Sequence, residues 1–144
     1  MKSVKAVFRN GVFVPLEPCN PKEGTEAIVV FAEEGEAERP RWWDKLAVPE
    51  EKKRAVRRLS QLLRSLPHRE VRAVVREGEV ELFVIVENER EAVKPVMEKG
   101  IKVFEETGTY LPIQVISTRR LKRWQELNSP IYSEITSGVK VDEP

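Results

Sequence analysis

The amino-acid sequence predicts an α+β protein: a small three-stranded β module at the N-terminus, then a domain alternating helices and strands around a mixed sheet. Three observations carry this. Asn10-Gly11 lies between two short apolar-alternating segments, a strong short-range hairpin signal. Pro49-Glu50-Glu51 opens a segment whose apolar residues recur at helical spacing. Beyond it, apolar strand-like runs alternate with further helical patterns as far as Val141.

In the first module, Val4, Ala6 and Phe8 alternate with Lys5, Val7 and Arg9 to make one strand. Val12-Phe13-Val14 returns after the turn, and Pro15 and Pro18 stop it. Pro21 to Gly24 form a loop, and Glu26–Phe31 reads as a third strand, apolar on both faces. Three strands in about thirty residues bury too little surface to stand alone. The module must therefore dock on the remainder or pair with a second copy through an open edge, so a homodimer is expected.

Residues 33–48 read as a linker between a module at 1–32 and a second domain at 49–144. An acidic run of Glu33, Glu34, Glu36 and Glu38 precedes Arg39-Pro40-Arg41 and Trp42-Trp43. Two adjacent tryptophans are costly to solvate. They either cap the junction of the two pieces or anchor a partner, since Trp is enriched among interface hot spots.

The second domain begins with proline and two acids at a helix start. Val56, Leu59, Leu62, Leu63 and Leu66 form one apolar face, and Pro67 ends the helix. Val71–Val75 is a strand, Arg76-Glu77-Gly78 a turn and Glu79–Val86 a strand. A helix between about Glu89 and Glu106 is expected to turn Val93, Val96, Met97, Ile101 and Phe104 inward. Pro95 marks a kink or the true start of this helix, and Gly108 ends it. Ile113–Ile116 is a strand, and Ser117 or Thr118 caps a helix carrying Leu121, Trp124 and Leu127. A short helix around Ile131–Ile135 and a strand at Val139–Val141 follow.

Composition narrows the function classes. The 144 residues, 40% hydrophobic and 34% charged, suffice for one ordinary domain or two very small ones with a packed core. Lys and Arg number 25 against 24 acids, a net charge of +1, so nucleic-acid contact would need a local patch. The single Cys19 excludes a disulfide framework and a one-chain Cys-based zinc site. No apolar run approaches about 18 residues and the opening is not signal-like, so a soluble cytoplasmic protein with no membrane role is expected. High charge with few Cys and Met is a thermophile-like composition. Only Asp44 and Asp142 of the 24 acids are aspartates. Short aspartates recur as ligands in octahedral Mg²⁺ sites, so metal-dependent phosphoryl chemistry here would have to run on Glu.

Glu79 and Glu81 stand at i and i+2, so a strand points both carboxylates to one face about 7 Å apart along the chain. That suits a divalent cation, or simply a polar strand edge near a turn. His68, the sole histidine, follows Pro67 and reads as a turn residue rather than a catalytic base. The 50–66 helix bears Lys52, Lys53, Arg54, Arg57, Arg58 and Arg64; a second basic group is Arg119, Arg120, Lys122 and Arg123. Such runs are solvated faces, or patches for a nucleic-acid backbone or an acidic protein. Gly24, Gly78 and Gly108 show no phosphate-loop spacing, and no Walker or dinucleotide fingerprint exists.

Two resemblances rest on these residues. Val4–Phe31, reading VKAVFRNGVFVPLEPCNPKEGTEAIVVF, resembles a family of short archaeal antitoxin-like proteins: an alternating strand, an Asn-Gly turn, "VFxPLEP", "xEGTE" and an apolar strand. The resemblance implies a β-rich dimer that partners a PIN-domain ribonuclease toxin, although a whole second domain stands where such proteins carry a short tail. Residues 50–141 resemble a minimal nucleotidyltransferase. Glu79-Val80-Glu81 falls where the paired aspartates belong and Gln114 where the third carboxylate belongs. Asn128-Ser129-Pro130-Ile131, Glu134-Ile135 and Gly138-Val139 match the family's ending.

The departures from that second pattern matter most. Arg76-Glu77-Gly78 replaces the Gly-Ser phosphate turn, both paired aspartates are Glu, and the third acid is an uncharged amide. Two-metal catalysis must neutralise charge on the attacking and leaving oxygens. The expectation is therefore an inactive nucleotidyltransferase-like domain without a cofactor, in an antitoxin-like or regulatory protein that binds a protein partner, such as a toxin ribonuclease. Trp42, Trp43, Arg54, Arg57 and Arg58 are the candidate contact residues. The alternatives are an active Mg²⁺-dependent nucleotidyltransferase using Glu79 and Glu81, and an RNA-binding module using the basic helices.

Overall fold

The computed structural model describes residues 2–30 and 39–142. The acidic run of Glu33, Glu34, Glu36 and Glu38 lies outside the described residues. The chain divides into two units, Met1–Ala32 and Glu33–Pro144.

In the first unit, β1 (Ala6–Arg9) and β2 (Val12–Pro15) pair antiparallel, with Arg9 opposite Val12. Asn10 and Gly11 both have positive φ, 50° and 81°, as a two-residue turn of matching twist requires. Leu16 N–H donates to Lys5 O at 2.7 Å, and the Phe8 and Phe13 rings lie 5.0 Å apart across the hairpin. Among the described residues the expected third strand does not form: the sheet has two strands, and residues 26–30 are not in a strand. Phe31 lies outside the described residues. The physical reason is that an apolar segment becomes a strand only when a neighbouring edge takes its backbone groups. Ile28 and Val30 are 93% and 89% exposed, and among the described residues neither open edge of the β1–β2 sheet pairs with this segment.

The second unit is built on a four-stranded mixed sheet. Helix α1 (Glu50–Leu63) precedes β3 (Glu70–Arg76) and β4 (Glu79–Val86). Helix α2 (Glu89–Thr107), β5 (Ile113–Ser117), α3 (Thr118–Glu126), α4 (Pro130–Thr136) and β6 (Val139–Lys140) follow. The strand order is β5-β4-β3-β6; β4 and β5 are parallel, and the other pairs antiparallel. Glu77 and Gly78, at φ 53° and 78°, close the β3–β4 hairpin with Arg76 opposite Glu79.

Strand alternation sorts the core into two layers. Val80, Leu82, Val84 and Val86 of β4 cluster with Val56, Leu59 and Leu63 of α1 and with Val96 and Val103 of α2. Phe83 and Ile85 point to the opposite side, where they meet Ile116 and Ile135, with Leu121, Trp124 and Ile131 packed around them. The layers are thus α1 and α2, the sheet, then α3 and α4. Helix ends follow local chemistry. Asn88 Oδ1 accepts from Glu91 N–H at 3.3 Å, and Ser117 Oγ accepts from Arg120 N–H at 3.0 Å. Gly108 closes α2 at φ 74°, and α2 runs unbroken through Pro95. At Gly138 a Cβ would come within 2.8 Å of Ala73 O, so only glycine lets β6 lie against β3 here.

Two further expectations are corrected. Part of the expected 33–48 linker belongs to this core: Trp42 and Trp43, each 3% exposed, join Leu46 in the cluster with α1. A short 3₁₀ turn at Trp43–Lys45 fixes them. Helix α2 buries Val96 and Val103, whereas Val93, Met97, Ile101 and Phe104 are exposed. Its apolar positions span about half the helix circumference, more than one sheet contact can cover.

Candidate functional site

Glu79 and Glu81 sit at the start of β4, beside the turn of the β3–β4 hairpin. Glu81 Oε1 accepts from Arg76 Nη1 at 3.2 Å, and its Oε2 accepts from Gln114 Nε2 at 3.0 Å. The same Arg76 reaches Glu134 on α4 through its other terminal nitrogen. Its pKa is raised by the hydrogen bond to Glu134 and, next, by the one to Glu81. Glu79 accepts from Lys52 Nζ at 2.5 Å.

Each carboxylate that a metal would need is therefore already held by a cation of this chain. The third position, Gln114, donates rather than carrying charge. Among the described residues no group of three or more His, Cys, Asp or Glu could hold a metal. Arg76, Glu81, Gln114 and Glu134 tie β3, β4, β5 and α4 together across one face of the sheet.

The candidate partner residues divide as sharply. Trp42 and Trp43 are core, with their rings 5.8 Å apart. Arg39 and Lys53 sit over Trp43, at 5.2 and 5.7 Å from its centroid. Burial removes both tryptophans from any contact surface. Arg54 pairs with Glu50 one turn earlier at 3.2 Å, and Arg57 is half-buried. Arg58 Nε and Nη2 donate to Glu106 at 2.7 and 3.2 Å, bracing α1 against α2. That bond raises the Arg58 pKa, and the Arg58 guanidinium holds the Glu106 carboxyl below its usual range.

Sequence reasoning missed one exposed apolar surface of the second unit. Val93, Met97, Ile101 and Phe104 form a stripe on α2, 37 to 58% exposed, along about three turns of helix. The signal was present as a second apolar series at spacings of four, four and three, offset from Val96 and Val103. In the first unit Phe8, Val12, Leu16 and Ile28 are also exposed.

The family model described as AF2212-like matches residues 1–76, more than half of the chain. The chain belongs to the AF2212-like family. In this AF2212-like chain the matched stretch covers the N-terminal hairpin, the tryptophan turn, α1 and β3. Comparison with curated proteins and with solved structures finds no match for it. No helix among its described residues is long and apolar enough to cross a membrane.

Proposed function

We propose that this protein is a non-catalytic, antitoxin-like or regulatory binder that acts in the cytoplasm by engaging a protein partner. A toxin ribonuclease is the partner class that the resemblance of Val4–Phe31 implies. The single observation that carries the reading is the exposed apolar stripe of α2, because such a face on a long helix is what a partner helix or groove covers. The second unit, on this reading, is a nucleotidyltransferase-like scaffold without turnover. Its support is the tight turn at Glu77-Gly78 and the neutralised Glu79 and Glu81. The first unit would pair with a second copy, which would cover the apolar residues it now presents to water.

Titration calorimetry of the full chain against the product of the adjacent reading frame tests this. Stoichiometric binding is expected, weakened at least about tenfold by Met97→Glu with Ile101→Glu. Silence against every neighbouring product would count decisively against it. Incubation with labelled nucleotides and Mg²⁺ should transfer no label. Transfer that disappears in Glu81→Gln would establish the enzyme instead.

A further inference from the structure

A second candidate site lies at the other end of β4 from Glu79 and Glu81, where the parallel pair β4 and β5 run out. In open α/β sheets this is where ligands sit. Two adjoining hollows meet there and share Glu87 and Asn88 as a common wall. The first, of about 400 Å³, has apolar walls from Leu66, Val86, Ala92 and Val96. The second, of about 700 Å³, is an open groove lined by five cations against three carboxylates. Both volumes lie in the range of small-molecule sites.

The polar groups differ between the two. In the apolar hollow, His68 Nδ1 lies 2.9 Å from Leu66 O. A carbonyl can only accept, so Nδ1 carries the proton and Nε2 of the neutral ring is left as an acceptor. Asn88 spends its Oδ1 on Glu91 N–H, which leaves its amide N–H groups as donors. An acceptor and a donor beside an apolar wall suit the edge and face of a heterocyclic base. In the groove, Glu89 is taken up by Arg120 and by Ser117 N–H, and Glu87 by Arg69 and Thr118. Arg90, Arg119, Lys122 and Arg123 form no ion pair among the described residues, and they face a single unpaired carboxylate there, Glu126. Both bordering helix starts are capped by their own side chains. An anion would thus be held by these four side chains rather than by backbone.

We infer that this composite hollow binds a free nucleoside phosphate, with its base against Leu66 and Ala92 and its phosphates over Arg119 and Arg123. The inference is independent of the protein-partner reading.

Calorimetric titration with ATP, GTP, CTP, UTP and inorganic tripolyphosphate tests it. At least one nucleotide should bind more tightly than tripolyphosphate. Arg119→Glu with Arg123→Glu should weaken both by at least about tenfold. His68→Ala should weaken the nucleotide alone, and Glu79→Gln with Glu81→Gln should change nothing. Circular dichroism confirms that each variant is folded. No nucleotide binding at millimolar concentration overturns the inference. So does equal binding of tripolyphosphate with a silent His68→Ala, which marks a general anion patch. Loss in the Glu79/Glu81 variant would move the ligand to the other end of β4. An oligonucleotide that binds but is not displaced by mononucleotides would make the groove an RNA track instead.

Discussion

The described residues contain two hairpins with the same turn and opposite fates. β1–β2 closes on Asn10-Gly11 and β3–β4 on Glu77-Gly78; all four residues have positive φ, and each turn has two residues. The register follows the turn in both. Yet β2 is exposed along its whole length, whereas β4 is buried from Leu82 to Val86 between two helical layers. The turn sets the pairing, but burial comes from whatever the rest of the chain lays on each face. The β3–β4 hairpin has α1, α2, α3 and α4. Among the described residues of its own unit β1–β2 has nothing comparable, which is why its apolar residues stay exposed.

The largest test of that contrast removes an aromatic ring from each hairpin. Phe83→Ala, at a fully buried position, should cost about 3–5 kcal/mol in urea unfolding of the second unit. Phe13→Ala should move the same transition by less than about 0.5 kcal/mol. Equal effects would mean that the two hairpins share one cooperative core.

A smaller effect is expected at the turns. Gly78→Ala forces a side chain into positive φ and should cost about 1 kcal/mol in that same transition. Gly11→Ala imposes the same strain but should leave the second unit's midpoint unmoved.

The smallest test concerns the brace that holds a helical layer over β3–β4. Because Arg58 lowers the Glu106 pKa, the stabilisation is complete above the unfolded carboxylate pKa. It is lost as pH falls through the lower folded value. Glu106→Gln should therefore slightly lower the urea midpoint at neutral pH, and the difference from wild type should vanish in acid. A gap that persists at low pH would assign the effect to packing rather than charge.

Local patterns were legible wherever one residue series had one place to go. The α1 face, the Gly108 stop, the Ser117 cap and both turns are written in short-range chemistry. The candidate site was legible only by type. Glu79 and Glu81 could be placed on one strand face, but their capture by Lys52 and Arg76 depends on residues 27 and 5 positions away. Trp42 and Trp43 were legible to the same extent. Their bulk demanded cover, and nothing nearby in the chain indicated that α1 would supply it. On α2 the apolar arc was too wide for one contact, so spacing alone left open which half faced the sheet.

By itself, then, the sequence determined which segments are helix, turn or paired strand in the second unit, because those choices rest on backbone sterics, capping and side-chain period. Only the tertiary structure decided which apolar surface is covered, which carboxylates are neutralised and where two hollows meet at the end of β4. Those outcomes depend on distances between residues far apart in the chain, and such distances exist only once the layers have packed.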